Sequence, residues 1–330
     1  MSAALEIGLH AAVIAVESGL PLYLAVPGKN PNGDILDGLP FGPYRPDQHR
    51  TLDTGLRSWV EEQTRLSLGY VEQLYTFGDM GRIHGQNVGL ESFVSVGYLA
   101  LVRKPEARSG NHSLNWGDWY SHFPWEDWRS GPPPLLTEQL MPALAAWVAG
   151  SPGERSNASG LDRQVRFRLA FGCELPKSNI PKIIAWDEER VLERYELMYE
   201  AGLVDEAVTD GQASQLAITP SPGKPMLHDH RRILATAIAR LRAKLKYRPV
   251  VFELLPESFT LTELQQTVET LSGQRLHKQN FRRMVEKAEL VEPTGATASR
   301  TGGRPAAYFS FRKAVLRERP APGLRIGSRG

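Results

Sequence analysis

Cysteine is nearly missing from these 330 residues: Cys173 stands alone. One thiol cannot close an intramolecular disulfide, and it cannot supply the paired cysteines of a zinc finger. Long apolar runs are missing as well. No stretch approaches the roughly 18 residues of a membrane span. The N-terminus shows no basic segment followed by an apolar core and cleavage site. A soluble, cytoplasmic protein with no membrane partner is therefore expected. Internal repeats and low-complexity tracts are also lacking. Net charge is small, +2, but it hides an imbalance. From Leu227 onward 20 Lys and Arg face 9 Asp and Glu, a net of +11, while the rest carries 19 against 28, a net of −9. That asymmetry predicts a polyanion partner for the C-terminal part only.

The length suffices for two domains. Residues 9–16 and 21–26 read as two buried strands around a Ser18-Gly19 turn. Residues 28–46, rich in Gly, Pro, Asn and Asp, read as loop. A helix is predicted over 51–66, with Leu52, Leu56, Trp59 and Val60 on its apolar side. Strands are predicted over 70–77 and 93–102. Trp116, Trp119, Trp125 and Trp128, with Tyr120 and Phe123 between them, predict an aromatic plug. They serve core or subunit packing, or else base stacking. Helices are expected over 137–148 and 187–200, and a long basic helix over 230–246. On the last, Leu234, Ile238, Leu241 and Leu245 form a stripe that suits either a dimer seam or an intramolecular core. His228 and His230 suit capping or surface positions better than metal ligation, and Asp229 can cap the basic helix.

Residues 259–311 carry the pattern of a winged helix-turn-helix. Thr260 is an N-cap, and Glu263 lies three residues on, where it can reach back to the cap amide. Leu261, Leu264, Val268 and Leu271 recur at helical spacing, and Gly273 ends that helix. A second helix is predicted over 278–289. Phe281, Met284, Val285 and Ala288 share its apolar face, while Gln279, Arg282, Arg283 and Glu286 lie opposite. Amide and guanidinium groups behind a buried stripe suit a helix entering the DNA major groove. Short strands at 290–292 and 308–311 flank a Gly-rich loop with Arg300, Gly302, Gly303 and Arg304, a candidate wing. The competing reading is a helical subdomain with a solvated cationic face.

The order strand, strand, loop, helix, strand, strand resembles a Nudix domain, and Arg57, Glu61 and Glu62 match that family's signature. Ser58 replaces its first helical glutamate, His49 stands where the upstream glutamate belongs, and Thr64 replaces its glycine. A Nudix hydrolase uses several carboxylates to hold Mg²⁺ and activate water, so this chain is expected to have lost most or all hydrolysis. Glu61 and Glu62 remain candidate ligands for one hard cation, or salt-bridge partners of Arg57 or Arg65. Tyr75, Phe77 and Asp79, at a strand end, fit nucleotide binding or ordinary core packing.

Taken together, the two ends resemble the Nudix-related repressors of NAD metabolism, the NrtR type. Residues 71–79 and the strand at 94–102 carry the N-terminal part of the likeness. Asp229-His230-Arg-Arg-Ile-Leu234, Tyr247-Arg-Pro249 and Phe259-Thr-Leu-Thr-Glu-Leu-Gln265 match the linking helix and the start of the DNA-binding domain. Asn280-Phe-Arg-Arg283 and Gly303-Arg-Pro-Ala306 match the recognition helix and wing. The likeness covers about 1–103 and 226–313. Residues 104–225 depart from it as a long insertion. There Phe123-Pro-Trp-Glu-Asp-Trp-Arg129 and residues 193–203 look like the longer NAD regulators of the NadQ type.

The resemblance implies an α+β chain: a Nudix-like α/β/α sandwich with a long insertion, then a C-terminal winged helix. The expected divisions are 1–103 with 226–246, then 104–225, then 247–330. It further implies a homodimeric, non-enzymatic repressor of NAD biosynthesis or salvage genes that binds a double-stranded operator. Its effector would be an NAD-related nucleotide (ADP-ribose, NAD or ATP), with Mg²⁺ as an optional ion and no required cofactor. Candidate DNA contacts are Thr260, Thr262, Lys278, Gln279, Asn280, Arg282, Arg283, Lys287, Arg300 and Arg304. Candidate nucleotide contacts are Arg57, Glu61, Glu62, Tyr75, Phe77 and Asp79. Two rival readings stay open: an active Nudix pyrophosphohydrolase with an accessory nucleic-acid module, and a nonenzymatic RNA-binding module.

Overall fold

The computed structural model describes residues 6–78, 93–105, 114–150, 160–174, 182–211, 218–298, 306–318 and 323–324. Strand β1 (Glu6–Glu17) is the spine of the N-terminal part, and its apolar residues from Leu9 to Ala15 are fully buried. Ser18 and Gly19 both take positive φ, 51° and 77°. This is the two-residue turn whose twist suits a hairpin, and the chain returns antiparallel as β2 (Leu20–Leu24). The segment expected to be loop instead contributes to three short strands. β3 (Val26–Lys29) pairs with β4 (Ile35–Gly38), and β5 (Phe41–Pro43) pairs with β1. Its turn residues occupy only the tip, where the Asp34 amide donates to the Asn30 side-chain oxygen at 2.8 Å. The backbone ladder on either side needs no apolar alternation, which is why the pattern was silent.

Helix α1 (Leu52–Thr64) is capped by Thr51, with Thr54 completing a reciprocal box, and it buries Leu56 and Val60. β6 (Tyr70–Phe77) follows, then β7 (Phe93–Leu101), which runs parallel to β1. β8 (Trp116–Asp118) joins the far edge, giving the order β6-β7-β1-β2-β8 with β5 also on β1. Alternation along β1 separates two layers. Leu9, Ala11, Val13 and Ala15 pack with α1 residues, while Ala12 and Ile14 belong to the core on the other face.

That second core is continuous with residues 119–207. Trp119, Phe123 and Trp125 are fully buried, so the aromatic plug is core. The helix expected over 137–148 opens as a π-helical turn, Leu135–Leu140, before α2 (Met141–Gly150). Pro142 cannot donate a backbone bond to the preceding turn, which favours a locally widened helix. Next come α3 (Arg163–Phe171), the β9 (Cys173–Glu174) and β10 (Lys182–Ile183) ladder, α4 (Val191–Glu200) and α5 (Asp205–Thr209). α4 starts later than expected because Asp187 instead shapes the turn before it, accepting the Glu189 amide at 3.0 Å. Cys173 is buried, and burial pushes its thiol up to about 11.

Helix α6 (His230–Tyr247) lies between the sheet and this helical layer. Leu234, Ile238, Leu241 and Leu245 are all buried within the chain, so that stripe is intramolecular core. Asp229 sits at its N-cap but makes no side-chain cap bond; its carboxylate pairs with Arg232 at 3.3 Å. The C-terminal module holds β11 (Phe259–Thr260), α7 (Leu261–Ser272), α8 (Lys278–Ala288), β12 (Val291–Ala298), β13 (Ala306–Phe311) and α9 (Val315–Glu318). Its sheet order is β11-β13-β12. No helix among the described residues is long and apolar enough to cross a membrane.

Candidate functional site

Local sequence dictates the C-terminal site. The Thr260 hydroxyl accepts the Glu263 amide at 3.2 Å, and the Glu263 carboxylate accepts the Thr260 amide at 2.7 Å. Thr260 is therefore occupied as a cap and buried, whereas Thr262 is exposed one step into α7. Gly273 ends α7 at φ 73°. The Glu269 carboxylate then accepts both the Leu276 amide and the Gln265 side-chain amide at 2.9 Å, fixing the turn into α8. On α8, Phe281 and Val285 are buried. Lys278, Gln279, Asn280, Arg282, Arg283 and Lys287 are all exposed, so the structure gathers them on one outward surface. β12 and β13 form the two arms of the wing, offset by a bulge between Pro293 and Thr297. Arg300 and Arg304 lie outside the described residues.

Much of the basic excess after Leu227 serves other ends. Arg231 pairs with Glu206 at 3.0 Å, Arg232 with Glu196 at 2.6 Å, and Lys244 with Glu72 at 2.7 Å. Arg242 pairs with Glu126 at 2.7 Å and Lys246 with Glu188 at 2.9 Å. The acidic N-terminal part thus neutralises the linking helix internally. The cationic surface narrows to α8 and its flanks.

The nucleotide candidates fall into two groups that the structure does not bring together. Arg57 lies on α1, where it pairs with Asp53 at 2.9 Å and donates to the carbonyls of Leu68 and Gly69. It staples the helix to the turn before β6, and neither Glu61 nor Glu62 is its partner. Both glutamates are exposed on the same helix. Phe77 is buried in the core on the opposite face, beneath the Arg232 guanidinium at 4.9 Å. Tyr75 is 54 % exposed and lies 5.8 Å from the Arg240 guanidinium. Both thus meet arginines of α6, on a strand whose pairing with β7 shifts register between Gln73 and Thr76. Asp79 lies outside the described residues. His49, at the position of the missing glutamate, is buried and accepts the Arg45 amide through Nδ1 at 3.1 Å. Among the described residues, no three His, Cys, Asp or Glu side chains converge as metal ligands.

Two buried polar clusters join the layers. His230 Nδ1 accepts the Leu39 amide at 2.9 Å, so in the neutral ring the proton sits on Nε2, which faces His10 Nδ1 at 3.0 Å. Burial, and then the neighbouring His228, lowers His10 to about 3. Burial likewise holds His230 well below its ordinary value, with His10 and His228 adding to the effect. The second cluster centres on Glu126. Its carboxylate accepts from Arg194 at 2.6 and 2.8 Å and from Arg242 at 2.7 Å. Arg242 also donates to the Leu271 carbonyl at 3.0 Å, at the end of α7. These clusters escaped the sequence reading. The available signal was an arginine placed within the leucine stripe of α6.

A mixed sheet between α1 and α6, followed by a winged helix, has the arrangement of a Nudix-like fold joined to a winged-helix module. Residues 251–311 match the family described as the NrtR DNA-binding winged helix domain. Over 83 residues the chain is 40 % identical to the ADPR responsive transcriptional repressor NtrR of Acinetobacter baylyi. That match covers 25 % of this chain and spans 33 % of the relative's length. The fold as a whole resembles Shewanella oneidensis NrtR, at TM-score 0.52 and 20 % identity over 94 % of this chain and 95 % of that one. The same protein complexed with a 27mer DNA gives a TM-score of 0.50 at 20 % identity, with the same shares covered. A MutT/nudix family protein from Enterococcus faecalis gives 0.50 at 14 % identity, over 94 % of this chain and 88 % of that chain.

Proposed function

We propose that this protein is a homodimeric transcriptional repressor of NAD biosynthesis or salvage genes. An NAD-related nucleotide held by the Nudix-like domain would control it without being turned over. The observation that carries the reading is the surface of α8: six polar or cationic side chains point outward on a helix that buries Phe281 and Val285 beneath them. Gln279, Asn280, Arg282 and Arg283 are suited to base edges or phosphates, and Lys278 and Lys287 to the backbone. Thr262 suits a phosphate through its exposed hydroxyl, and Arg300 and Arg304 suit the wing tip. Thr260 acts through the cap it forms. The likeness to a repressor named as ADPR responsive supports the effector class.

Arg57, Glu61, Glu62, Tyr75, Phe77 and Asp79 remain the proposed nucleotide contacts, the first three as one group on α1 and Tyr75 and Phe77 as another on β6. A divalent cation at Glu61 and Glu62 would need ligands from beyond the described residues, so no hydrolytic step is assigned to it. For control, the nucleotide must bind the DNA-competent and DNA-incompetent states unequally. The test is a gel-shift on DNA from NAD biosynthetic promoters, repeated with ADP-ribose, NAD and ATP. Retention that shifts with one nucleotide is expected. No retention of any duplex at low salt would end the repressor reading. Turnover of ADP-ribose with Mg²⁺ at about 1 per second or faster would favour a hydrolase.

A further inference from the structure

We propose a second ligand site, distinct from the Nudix-like face, in the groove between the Trp-rich segment and the turn joining α7 to α8. Its ligand class is an anion attached to a flat aromatic ring, of which a nucleoside diphosphate is the simplest example. The groove encloses about 690 Å³, within the range of small-molecule sites. Trp128 and Trp186 form one wall, their ring centroids 4.3 Å apart at 30°. The Arg194 guanidinium lies 3.8 Å from the Trp186 ring and is itself held by Glu126, so the indole wall is rigidly backed. With Trp186 covered by Trp128 on one side and Arg194 on the other, Trp128 is the indole that could offer a face to a purine, and a rigid wall costs little ordering on binding.

Charge selects the ligand. Among the described residues three cations line the groove, Arg129, Lys182 and Arg275, and no carboxylate does. Two other cavities are acidic. One, of about 340 Å³ between the β3–β4 turn and α5, has five carboxylates among its lining residues. The other, of about 490 Å³ beside α7, has four, against Arg129 and Arg275, which it shares with the groove. Arg129 spends its guanidinium on Asp127 and the Gly19 carbonyl. Lys182 is exposed, and the Arg275 side chain is 73 % exposed with Glu269 only at 3.7 Å. These two are placed to receive phosphate oxygens. Gln274 adds an amide that contacts Glu188 at 3.3 Å.

The site's position gives it a consequence. Gln274 and Arg275 belong to the turn that aims α8, and Arg275 also donates to the Arg129 carbonyl at 3.3 Å. An anion on Lys182 and Arg275 would draw Arg275 from Glu269, whose other oxygen holds the turn. A ligand here would tie residues 128–141 and 182–186 to the recognition helix. This regulatory consequence rests on the repressor reading, while the binding itself does not.

Calorimetric titration of the full chain with ADP tests it, alongside adenosine and pyrophosphate. ADP should bind more tightly than either fragment, and Lys182→Glu and Arg275→Glu should each weaken it about tenfold. Both side chains are exposed, so the fold should survive, as a circular dichroism melt would check. Unchanged ADP affinity in both variants, or no ADP binding by the wild-type chain, overturns the groove. If Tyr75→Ala abolishes binding while Lys182→Glu leaves it intact, the groove falls and the Nudix-side assignment stands. Failure to retain duplex DNA sinks the repressor reading without touching ADP binding in the groove.

Discussion

The Glu126 carboxylate and the Arg242 guanidinium meet at 2.7 Å with neither side chain exposed to solvent. Residues separated by 116 positions in sequence thus share one buried charge cluster, together with Arg194. Arg242 reaches from α6 to the last turn of α7, so the same guanidinium touches the Trp-rich segment and the winged-helix module. Glu126→Ala would leave two guanidinium groups buried without a counter-charge. The expected loss is about 3–5 kcal/mol, read as a lower midpoint in urea unfolding. A loss below about 1 kcal/mol would show that water reaches the cluster.

Gly273 is needed twice. Its φ of 73° strains any other residue, and a Cβ there would sit 2.4 Å from the Glu126 carbonyl oxygen. Gly273→Ala should therefore destabilise by about 1–3 kcal/mol and displace the α7–α8 turn. A melting temperature equal to wild type would contradict this.

On the DNA side, Arg283→Ala should weaken operator binding by about 1–3 kcal/mol while leaving the melt unchanged, because the side chain is exposed. Lys287→Ala should weaken all duplexes alike and reduce the slope of log affinity against log salt by about 1. Equal retention of wild type and Arg283→Ala in a gel-shift titration would move the reading surface elsewhere. The α6 cations are expected to contribute little to that slope, since they already have internal partners.

Acid should weaken the fold from an early point. His10 is lowered to about 3, and His122 to about 4, in both cases first by burial. The unfolded chain therefore binds more protons than the folded one below about pH 6.5. Above that range these rings add no pH dependence. Below it each should remove about 1.4 kcal/mol per pH unit, until about pH 3 for His10 and about pH 4 for His122. Urea midpoints from pH 7.5 to 5 should decline, and His10→Gln should flatten the decline. A flat profile would mean that the rings are hydrated.

The winged helix was legible because its signals are local: a capping box, a glycine in a left-handed cap, and apolar residues three and four apart. α8 matches its expected bounds to within one residue. The N-terminal site was harder. Arg57 and Phe77 look like neighbours in a family pattern, yet the sheet puts them on opposite faces, and register follows from pairing between distant strands. Helix α3 escaped because Val165, Phe167 and Leu169 alternate with polar residues as a strand would, while only Asp162 marks its start. Buried arginines 194, 231 and 242 read as surface charge, because their carboxylate partners lie 25 to 116 residues away.

The solitary thiol of Cys173 turns out to be useful for what it does not do. Held in the protonated form and out of reach, it should ignore thiol-reactive dyes while the helical layer stays closed. Its labelling rate would then clock the moments when that layer opens, from a single position and without engineering a tag. Comparing that rate with and without nucleotide or duplex DNA would reveal whether either of these proposed partners quietens the breathing of the segment between the sheet and α8.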